Sequence, residues 1–112
     1  MKRPSGKKGD ELAAVAPALV DLTDRVLYDE VWERPNLSKR DRCLVTIAAL
    51  VAMYRPEQLR AHLGLGLKNG LTREEIGEAL AHLAFYASWP SAIGASRIFL
   101  DLVKALDAEG DG

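Results

Sequence analysis

Residues 55–62, Arg-Pro-Glu-Gln-Leu-Arg-Ala-His, are the most informative segment of this chain. Pro56 predicts the start of a helix, because the missing N–H of proline is no loss at the first helical position. On such a helix Arg55, Gln58 and His62 stand at i, i+3 and i+7 and share one face. Beside them runs an apolar stripe of Leu59, Leu63 and Leu67. A cation, an amide and an imidazole next to a core-facing stripe indicate the wall of a partly buried pocket.

Helical periodicity extends from this stretch towards both ends of the chain. Apolar and polar residues nowhere alternate convincingly with the period of two that a half-buried strand requires, so we predict an all-α fold. The predicted helices cover about residues 10–28, 39–54, 56–69, 73–87 and 90–106. Pro17 lies inside the first of them, where a proline kinks a helix or delays its start.

Short motifs mark several helix ends. Thr72 and Glu75 have the spacing of a capping box, and Ser38 with Asp41 repeats it with Asp in place of Glu. Gly70 follows the third helix, where a glycine supplies the left-handed residue that ends many helices. These motifs predict sharp boundaries before the second and fourth helices and after the third.

Apolar residues recur on one face of the first, fourth and fifth helices. They are Leu12, Val15, Leu19, Leu22 and Val26, then Ile76, Leu80, Leu83 and Ala87, which we expect to point inward, and Ile93, Phe99, Leu100 and Val103. The second helix is apolar nearly all round over residues 44–53, a pattern typical of a helix buried on every side. Because a domain of 112 residues can hardly surround a helix, we expect a partner subunit to cover part of it.

Length and composition limit the range of functions. The 112 residues suffice for one small domain, over residues 10–106, between a disordered basic tail at 1–9 and a frayed acidic tail at 107–112. Lys and Arg number 15 against 16 Asp and Glu, which argues against general binding to nucleic acid or anionic membranes. The single cysteine rules out an internal disulfide. No apolar segment resembles a signal peptide or a membrane span, so we expect a cytoplasmic protein.

Together with four other segments, the 55–62 stretch resembles the carboxymuconolactone decarboxylase family, within the larger group of alkylhydroperoxidase D-like proteins. These segments are Trp-Glu-Arg-Pro-Asn-Leu-Ser-Lys-Arg-Asp-Arg at 32–42, Leu-Val-Thr-Ile-Ala-Ala-Leu at 44–50, Asn-Gly-Leu-Thr-Arg-Glu-Glu at 69–75 and Ala-His-Leu-Ala-Phe-Tyr-Ala-Ser-Trp-Pro at 81–90. They follow the order and spacing of the family from about residue 31 to about residue 103. The resemblance implies a compact bundle of about five to six helices whose subunits assemble into homotrimers or homohexamers.

The resemblance also implies roles for the residues of the 55–62 stretch. The peroxidase branch of this group carries Cys-x-x-Cys-x-x-x-His, and Arg55 and Gln58 occupy the two cysteine positions counted back from His62. The decarboxylase branch commonly has Arg and Glu there, so Arg55 is expected to clamp a substrate carboxylate with both arms of its guanidinium. Gln58 departs from that pattern, because an amide can orient a substrate but cannot carry a proton. His62 is the implied general acid or polarising donor.

Three further residues are candidate contacts to the substrate. Arg42 matches a recurrent arginine of the family, with a structural pairing to a carboxylate as the alternative. Cys43 stands where the peroxidase branch has a relay glutamate and the decarboxylase branch often has serine, although a buried cysteine is usually a small hydrophobe. Trp89 matches an aromatic position of the family, where a core role is at least as well supported. His82 is expected to be structural or interfacial, and the two histidines do not form a metal site.

The resemblance implies a carboxy-lyase that acts on 4-carboxymuconolactone or another small carboxylated lactone. The unsaturated lactone can accept the electrons that remain when carbon dioxide leaves, so no cofactor is expected. Three alternatives stay open: related ring chemistry in a biosynthetic pathway, peroxidase or thiol-dependent antioxidant activity, and a non-catalytic helical oligomer. The expected partners are a small carboxylated molecule and further copies of the chain, with no nucleic acid and no membrane.

Overall fold

The computed structural model describes residues 1–4 and 11–111, and these residues form helices and turns without a strand. The helices are α1 (Pro17–Leu22), continued by a π-helical segment (Thr23–Val31), then α2 (Lys39–Ala52), α3 (Pro56–Lys68), α4 (Arg73–Tyr86) and α5 (Trp89–Asp111). The predicted all-α fold is thereby confirmed. The chain divides into two compact units, Met1–Arg42 and Cys43–Gly112.

The first unit contains a helix that changes its winding. α1 begins at Pro17, because a proline fits the first helical turn but not a helix interior. From Thr23 the helix widens to π geometry, and the Trp32 N–H donates to the Leu27 carbonyl five residues earlier at 2.9 Å. The rings of Tyr28 and Trp32 stack with centroids 5.8 Å apart, and both side chains are buried. Much of the face predicted from the sequence is exposed instead, at Leu12, Val15, Leu19 and Leu22.

The first residues of the chain contact this helical segment. The Met1 ammonium lies 3.5 Å from the Asp29 carboxylate, and the Arg3 Nε lies 2.7 Å from that of Asp24. The predicted basic tail covers residues 1–9, of which residues 5–9 lie outside the described residues. Residues 1–4 are thus held by ion pairs at the surface, which individually contribute little stability.

The second unit confirms the predicted helix ends. Pro56 is the first residue of α3, and Gly70 after α3 has a φ of 107°, in the left-handed region. Thr72 and Glu75 form the full capping box: the Glu75 N–H donates to the Thr72 hydroxyl at 3.0 Å, and the Thr72 N–H donates to the Glu75 carboxylate at 2.9 Å. α4 ends at Tyr86, so Ala87, predicted to point inward, terminates the helix and is exposed.

The core of the second unit lies among its four helical stretches. α5 packs against both α3 and α4. The buried side chains are Cys43, Ile47, Val51, Leu59, Leu63, Leu71, Ile76, Leu80, Ala92, Ala95 and Leu102. Val45 on α2 and Met53 directly after it are exposed, so the described chain buries only one side of this apolar stretch. No helix in the described ranges has the length and hydropathy needed to cross a bilayer.

α5 extends beyond its predicted range of about 90–106 at both ends. It begins at Trp89 behind Ser88, whose hydroxyl accepts from the Ser91 N–H at 3.0 Å as an N-cap does. It continues past Leu106 to Asp111, and the Arg73 guanidinium pairs with Asp107 at 2.7 Å. The residues predicted as the acidic tail from 107 to 111 therefore belong to a helix, while residue 112 lies outside the described residues.

Two glycines of α3 provide a test of this packing. A methyl group on Gly66 would lie 2.9 Å from Leu71 Cδ1 and 3.3 Å from Ile47 Cδ1, whereas one on Gly64 would meet nothing within 4 Å. Because alanine favours a helix by about 1 kcal/mol over glycine, we expect Gly64→Ala to raise the free energy of unfolding. Gly66→Ala should be less stable than Gly64→Ala by about 1–3 kcal/mol, the usual cost of overpacking. Urea titration of both variants measures this difference, and equal stabilities would contradict the close packing of Leu71 and Ile47 around Gly66.

Candidate active site

Three of the predicted site residues lie directly before and within the first two turns of α3, and helical spacing places them on one side of it, the α3 face. Arg55 is the capping residue just before α3, and its N–H donates to the Leu50 carbonyl at 2.8 Å. Gln58 lies in the first turn, and its N–H donates to the Arg55 carbonyl at 3.3 Å. At a rise of about 1.5 Å per residue, His62 lies about 6 Å beyond Gln58 and about 10 Å beyond Arg55 along the axis. This span suits a small substrate with a carboxylate at one end.

Burial increases along this face from the capping residue inward. Arg55 and Gln58 are exposed, His62 is half-buried, and its neighbours Leu59 and Leu63 are buried. The Nδ1 atom of His62 is buried. A cation at the exposed end and an imidazole at the half-buried end form an arrangement that can bind an anion and act on it in a drier environment.

Burial also determines the charge of His62. It lowers the pKa of the imidazole below its ordinary value of 6.5, because a charged ring loses hydration there. The ring is therefore neutral at neutral pH, and a neutral imidazole donates through one nitrogen and accepts through the other. Of the two predicted roles, general acid and polarising donor, this charge state favours the donor.

The lowered pKa predicts how stability depends on pH. Below pH 6.5 the unfolded chain binds a proton at His62 more readily than the folded chain, so the free energy of unfolding falls as the solution is acidified through this value. Above pH 6.5 the contribution of His62 to the free energy of unfolding is constant. We expect His62→Gln to lose this part of the pH dependence, measured by urea titration between pH 8 and pH 5. Parallel curves for the two proteins would show that His62 titrates alike in both states.

Cys43 lies in the core rather than at an open surface. Its side chain is fully buried on α2, and a methyl group on Gly66 of α3 would lie 3.7 Å from its Cβ. Burial raises the pKa of the Cys43 thiol, which disfavours the thiolate. These observations fit the packing role, and contact with a substrate stays a prediction.

Arg42 holds the loop that precedes α2. Its guanidinium donates to the backbone carbonyl of Leu37 at 3.2 Å and to that of Arg34 at 3.1 Å. The N–H of Asp41 donates to the Ser38 hydroxyl at 3.1 Å, which is one half of the predicted capping box. Arg42 therefore has a structural role within the first unit, and its contact with a substrate stays a prediction.

Trp89 lines a separate apolar groove between α4 and α5. The groove has a volume of about 410 Å³, and its walls include Leu80, Ala84, Phe85, Ile93 and Phe99. The rings of Phe85 and Trp89 meet edge to face with centroids 5.5 Å apart, and both are largely exposed. Neither Arg55 nor His62 lines this groove. The predicted site residues of the second unit thus fall in three places: the α3 face, the core and this groove.

Two further side chains, His82 on α4 and Tyr54 directly before Arg55, were not predicted as site residues. His82 stacks on Tyr86 with centroids 4.7 Å apart on the exposed side of α4. Tyr54, directly before Arg55, has a φ of 53°, which sequence reasoning missed. The restriction that Pro56 places on its preceding residue applies to Arg55 and gives no signal for a positive φ at Tyr54. Among the described residues no group of His, Cys, Asp or Glu is arranged to hold a metal ion.

An all-α unit with a cation, an amide and an imidazole on one helix face matches what the sequence resemblance implies. Residues 17–101 match the model of the carboxymuconolactone decarboxylase family, and the chain belongs to this family. All six predicted site residues lie within the matched range.

Two relatives agree with this assignment. The chain is 39% identical over 86 residues to the 4-carboxymuconolactone decarboxylase of Acinetobacter baylyi, covering 77% of this chain and 64% of that protein. It is 37% identical over 91 residues to the nitrosuccinic acid decarboxylase npaB of Metarhizium robertsii, covering 81% of this chain and 64% of that protein. The chain thus spans a little under two thirds of the length of both relatives.

Proposed function

We propose that this chain catalyses the cofactor-independent decarboxylation of a small carboxylated lactone, with 4-carboxymuconolactone or a close analogue as substrate. The observation that carries the proposal is the α3 face, on which the exposed Arg55 and the half-buried, neutral His62 lie about two turns apart. The 39% identity to a protein named for this reaction supports the substrate class.

The chemistry requires an electron sink and a proton. When the carbon–carbon bond to the carboxylate breaks, carbon dioxide leaves and its bonding electrons pass into the unsaturated lactone as an enolate. A proton delivered to carbon completes the reaction, so one proton from water is consumed for each carbon dioxide released. The enzyme needs to bind the carboxylate and to stabilise the enolate more strongly than the substrate.

Each residue of the α3 face has a role in this mechanism. Arg55 binds a carboxylate of the substrate through its guanidinium, and its exposure leaves this group accessible. The neutral His62 donates an N–H to the developing enolate oxygen and can pass a proton from water to carbon. Gln58 lies between them and orients the substrate through its amide, which can both donate and accept.

Turnover of 4-carboxymuconolactone, followed by its ultraviolet absorbance, tests this proposal directly. We expect loss of the lactone with stoichiometric release of carbon dioxide and without added cofactor. Unchanged absorbance at high enzyme concentration would reject this substrate.

A nitro-substituted dicarboxylate is a second candidate substrate class. The observation that favours it is the 37% identity to a protein named as a nitrosuccinic acid decarboxylase. A nitro group next to the departing carboxylate can accept the electrons, as the unsaturated lactone does, so the same Arg55 and His62 roles apply. Parallel assays of nitrosuccinate and 4-carboxymuconolactone would rank the two by kcat/KM.

Other possibilities from the sequence are less well supported. A thiol peroxidase requires a reactive thiolate, but the only cysteine of the chain, Cys43, is buried and its pKa is raised. We retain as proposals a homotrimer or homohexamer and a cytoplasmic location. The exposed apolar residues Val45 on α2 and Met53 directly after it fit an assembly that covers them.

A further inference from the structure

Tyr54 has an unusual backbone conformation at the turn between α2 and α3. Its φ is 53°, and it is the only non-glycine residue in the described part of the chain with a positive φ. A bulky aromatic residue occupies this left-handed region rarely, because its Cβ crowds the following carbonyl. Such a conformation persists only where the surrounding contacts determine it.

Packing of the ring and the hydrogen bonds of the backbone turn, including that from the Tyr54 N–H to the Val51 carbonyl at 3.1 Å, hold Tyr54 in this conformation. Its ring lies against Gly94 of α5: a methyl group on Gly94 would be 3.1 Å from Tyr54 Cε1 and 3.4 Å from its hydroxyl oxygen. The backbone turn around it is closed by the N–H of the next residue, Arg55, which donates to the Leu50 carbonyl at 2.8 Å. The absence of a side chain at Gly94 therefore leaves the space that the ring needs.

The same turn also determines the position of the Arg55 backbone, from which its side chain extends. Arg55 is the capping residue of α3, with φ −114° and ψ 73°, and its side chain makes no capping hydrogen bond. The direction of its Cα–Cβ bond follows from this backbone geometry, and no capping hydrogen bond ties the rest of the side chain to α3. Since Tyr54 is the adjacent residue, its φ and the seat of its ring on Gly94 set this direction.

We propose that Tyr54 is a positioning residue for Arg55: its ring, seated on Gly94, locks the left-handed turn that aims the guanidinium at the substrate carboxylate. This inference rests on the carboxylate-binding role proposed for Arg55. It connects α5 to the start of the α3 face through one aromatic contact.

Kinetics of Gly94→Ala and Tyr54→Asn test this inference. The first variant pushes the ring away, and the second removes it while keeping a residue that tolerates a positive φ. We expect each to raise KM for 4-carboxymuconolactone about tenfold, with a smaller change in kcat, because small misplacements of a binding group are costly. Tyr54→Phe keeps the ring and should have the same KM as the unaltered protein. Gly110→Ala, on the same helix with nothing within 4 Å of the added methyl, is the matched control.

A double-mutant cycle separates positioning from a general loss of structure. In an Arg55→Ala background, Gly94→Ala and Tyr54→Asn should have almost no further effect on KM, because the group they misplace is gone. Additive effects, or an unchanged KM in both single variants, would overturn the inference. Tyr54→Asn provides the answer if Gly94→Ala fails to fold.

Nuclear magnetic resonance of the Arg55 side chain gives a readout that does not depend on turnover. Its Nε–Hε signal is assigned by its loss in Arg55→Ala. We expect Gly94→Ala to shift this signal and Gly110→Ala to leave it unchanged; an unshifted signal in Gly94→Ala would overturn the inference. If the unaltered protein turns over no substrate, the proposed function fails, and this signal still decides whether Tyr54 positions Arg55.

Discussion

Replacing His62 by alanine is expected to lower kcat/KM for 4-carboxymuconolactone by about 10²–10⁴-fold, the usual contribution of one acid–base group. The imidazole is half-buried with a lowered pKa, so it is neutral and can donate to an enolate without placing a positive charge in a partly buried position. Water that enters in its place would be a poorer donor, since it is not held in a fixed direction. Initial rates from ultraviolet absorbance give the ratio.

The second histidine of the chain provides the control for this experiment. His82 stacks on Tyr86 on the exposed side of α4, outside the α3 face. His82→Ala should therefore retain the turnover of the unaltered protein. His62→Gln keeps most of the side-chain volume and serves if His62→Ala unfolds, as judged by circular dichroism. Full activity in folded His62→Ala and His62→Gln would remove His62 from the mechanism.

The helix ends of the second unit could be predicted because they depend on local chemistry. Pro56, Gly70 and the Thr72–Glu75 capping box act within a few residues of themselves, and the structure has each in the expected role. The α3 face could be predicted for the same reason, since helical spacing alone brings Arg55, Gln58 and His62 to one side.

The inner face of α5 could not be predicted from its large apolar residues. Ile93 and Leu100 are half-exposed, while the small Ala92 and Ala95 are buried. Small residues allow helices to approach closely. A helix can therefore pack its alanines against neighbouring helices and leave larger apolar side chains exposed. Periodicity identifies the apolar positions but does not say which of two adjacent faces meets another helix.

Features that depend on contacts between distant residues were also missed. The π winding of residues 23–31 has no sequence signature in the pattern of apolar residues. The left-handed Tyr54 depends on Gly94, forty positions further along the chain, and no local motif pairs them. The groove beside Trp89 likewise forms only when α4 and α5 pack together. In each case tertiary packing selects a conformation that local propensity leaves open.

Replacing Arg55 by alanine is expected to raise KM for 4-carboxymuconolactone about a hundredfold, because two charge-assisted hydrogen bonds are together worth about 3 kcal/mol. Stability should change little, since the Arg55 side chain is exposed and makes no capping hydrogen bond on α3. A change in KM can therefore be assigned to substrate binding rather than to unfolding. Steady-state kinetics with thermal unfolding of the same samples measures both quantities.

Two matched variants sharpen this prediction. Arg60→Ala removes the same side chain from an exposed position on the same helix, about 140° around the axis from Arg55, and should leave KM unchanged. Arg55→Lys keeps the positive charge but loses the planar fork, so its KM should fall between those of the unaltered protein and Arg55→Ala. If Arg60→Ala raised KM as much as Arg55→Ala, the effect would reflect the net charge of α3 rather than a carboxylate clamp. A lysine variant equal to the unaltered protein would mean that a point charge suffices, and the bidentate geometry proposed for Arg55 would be wrong.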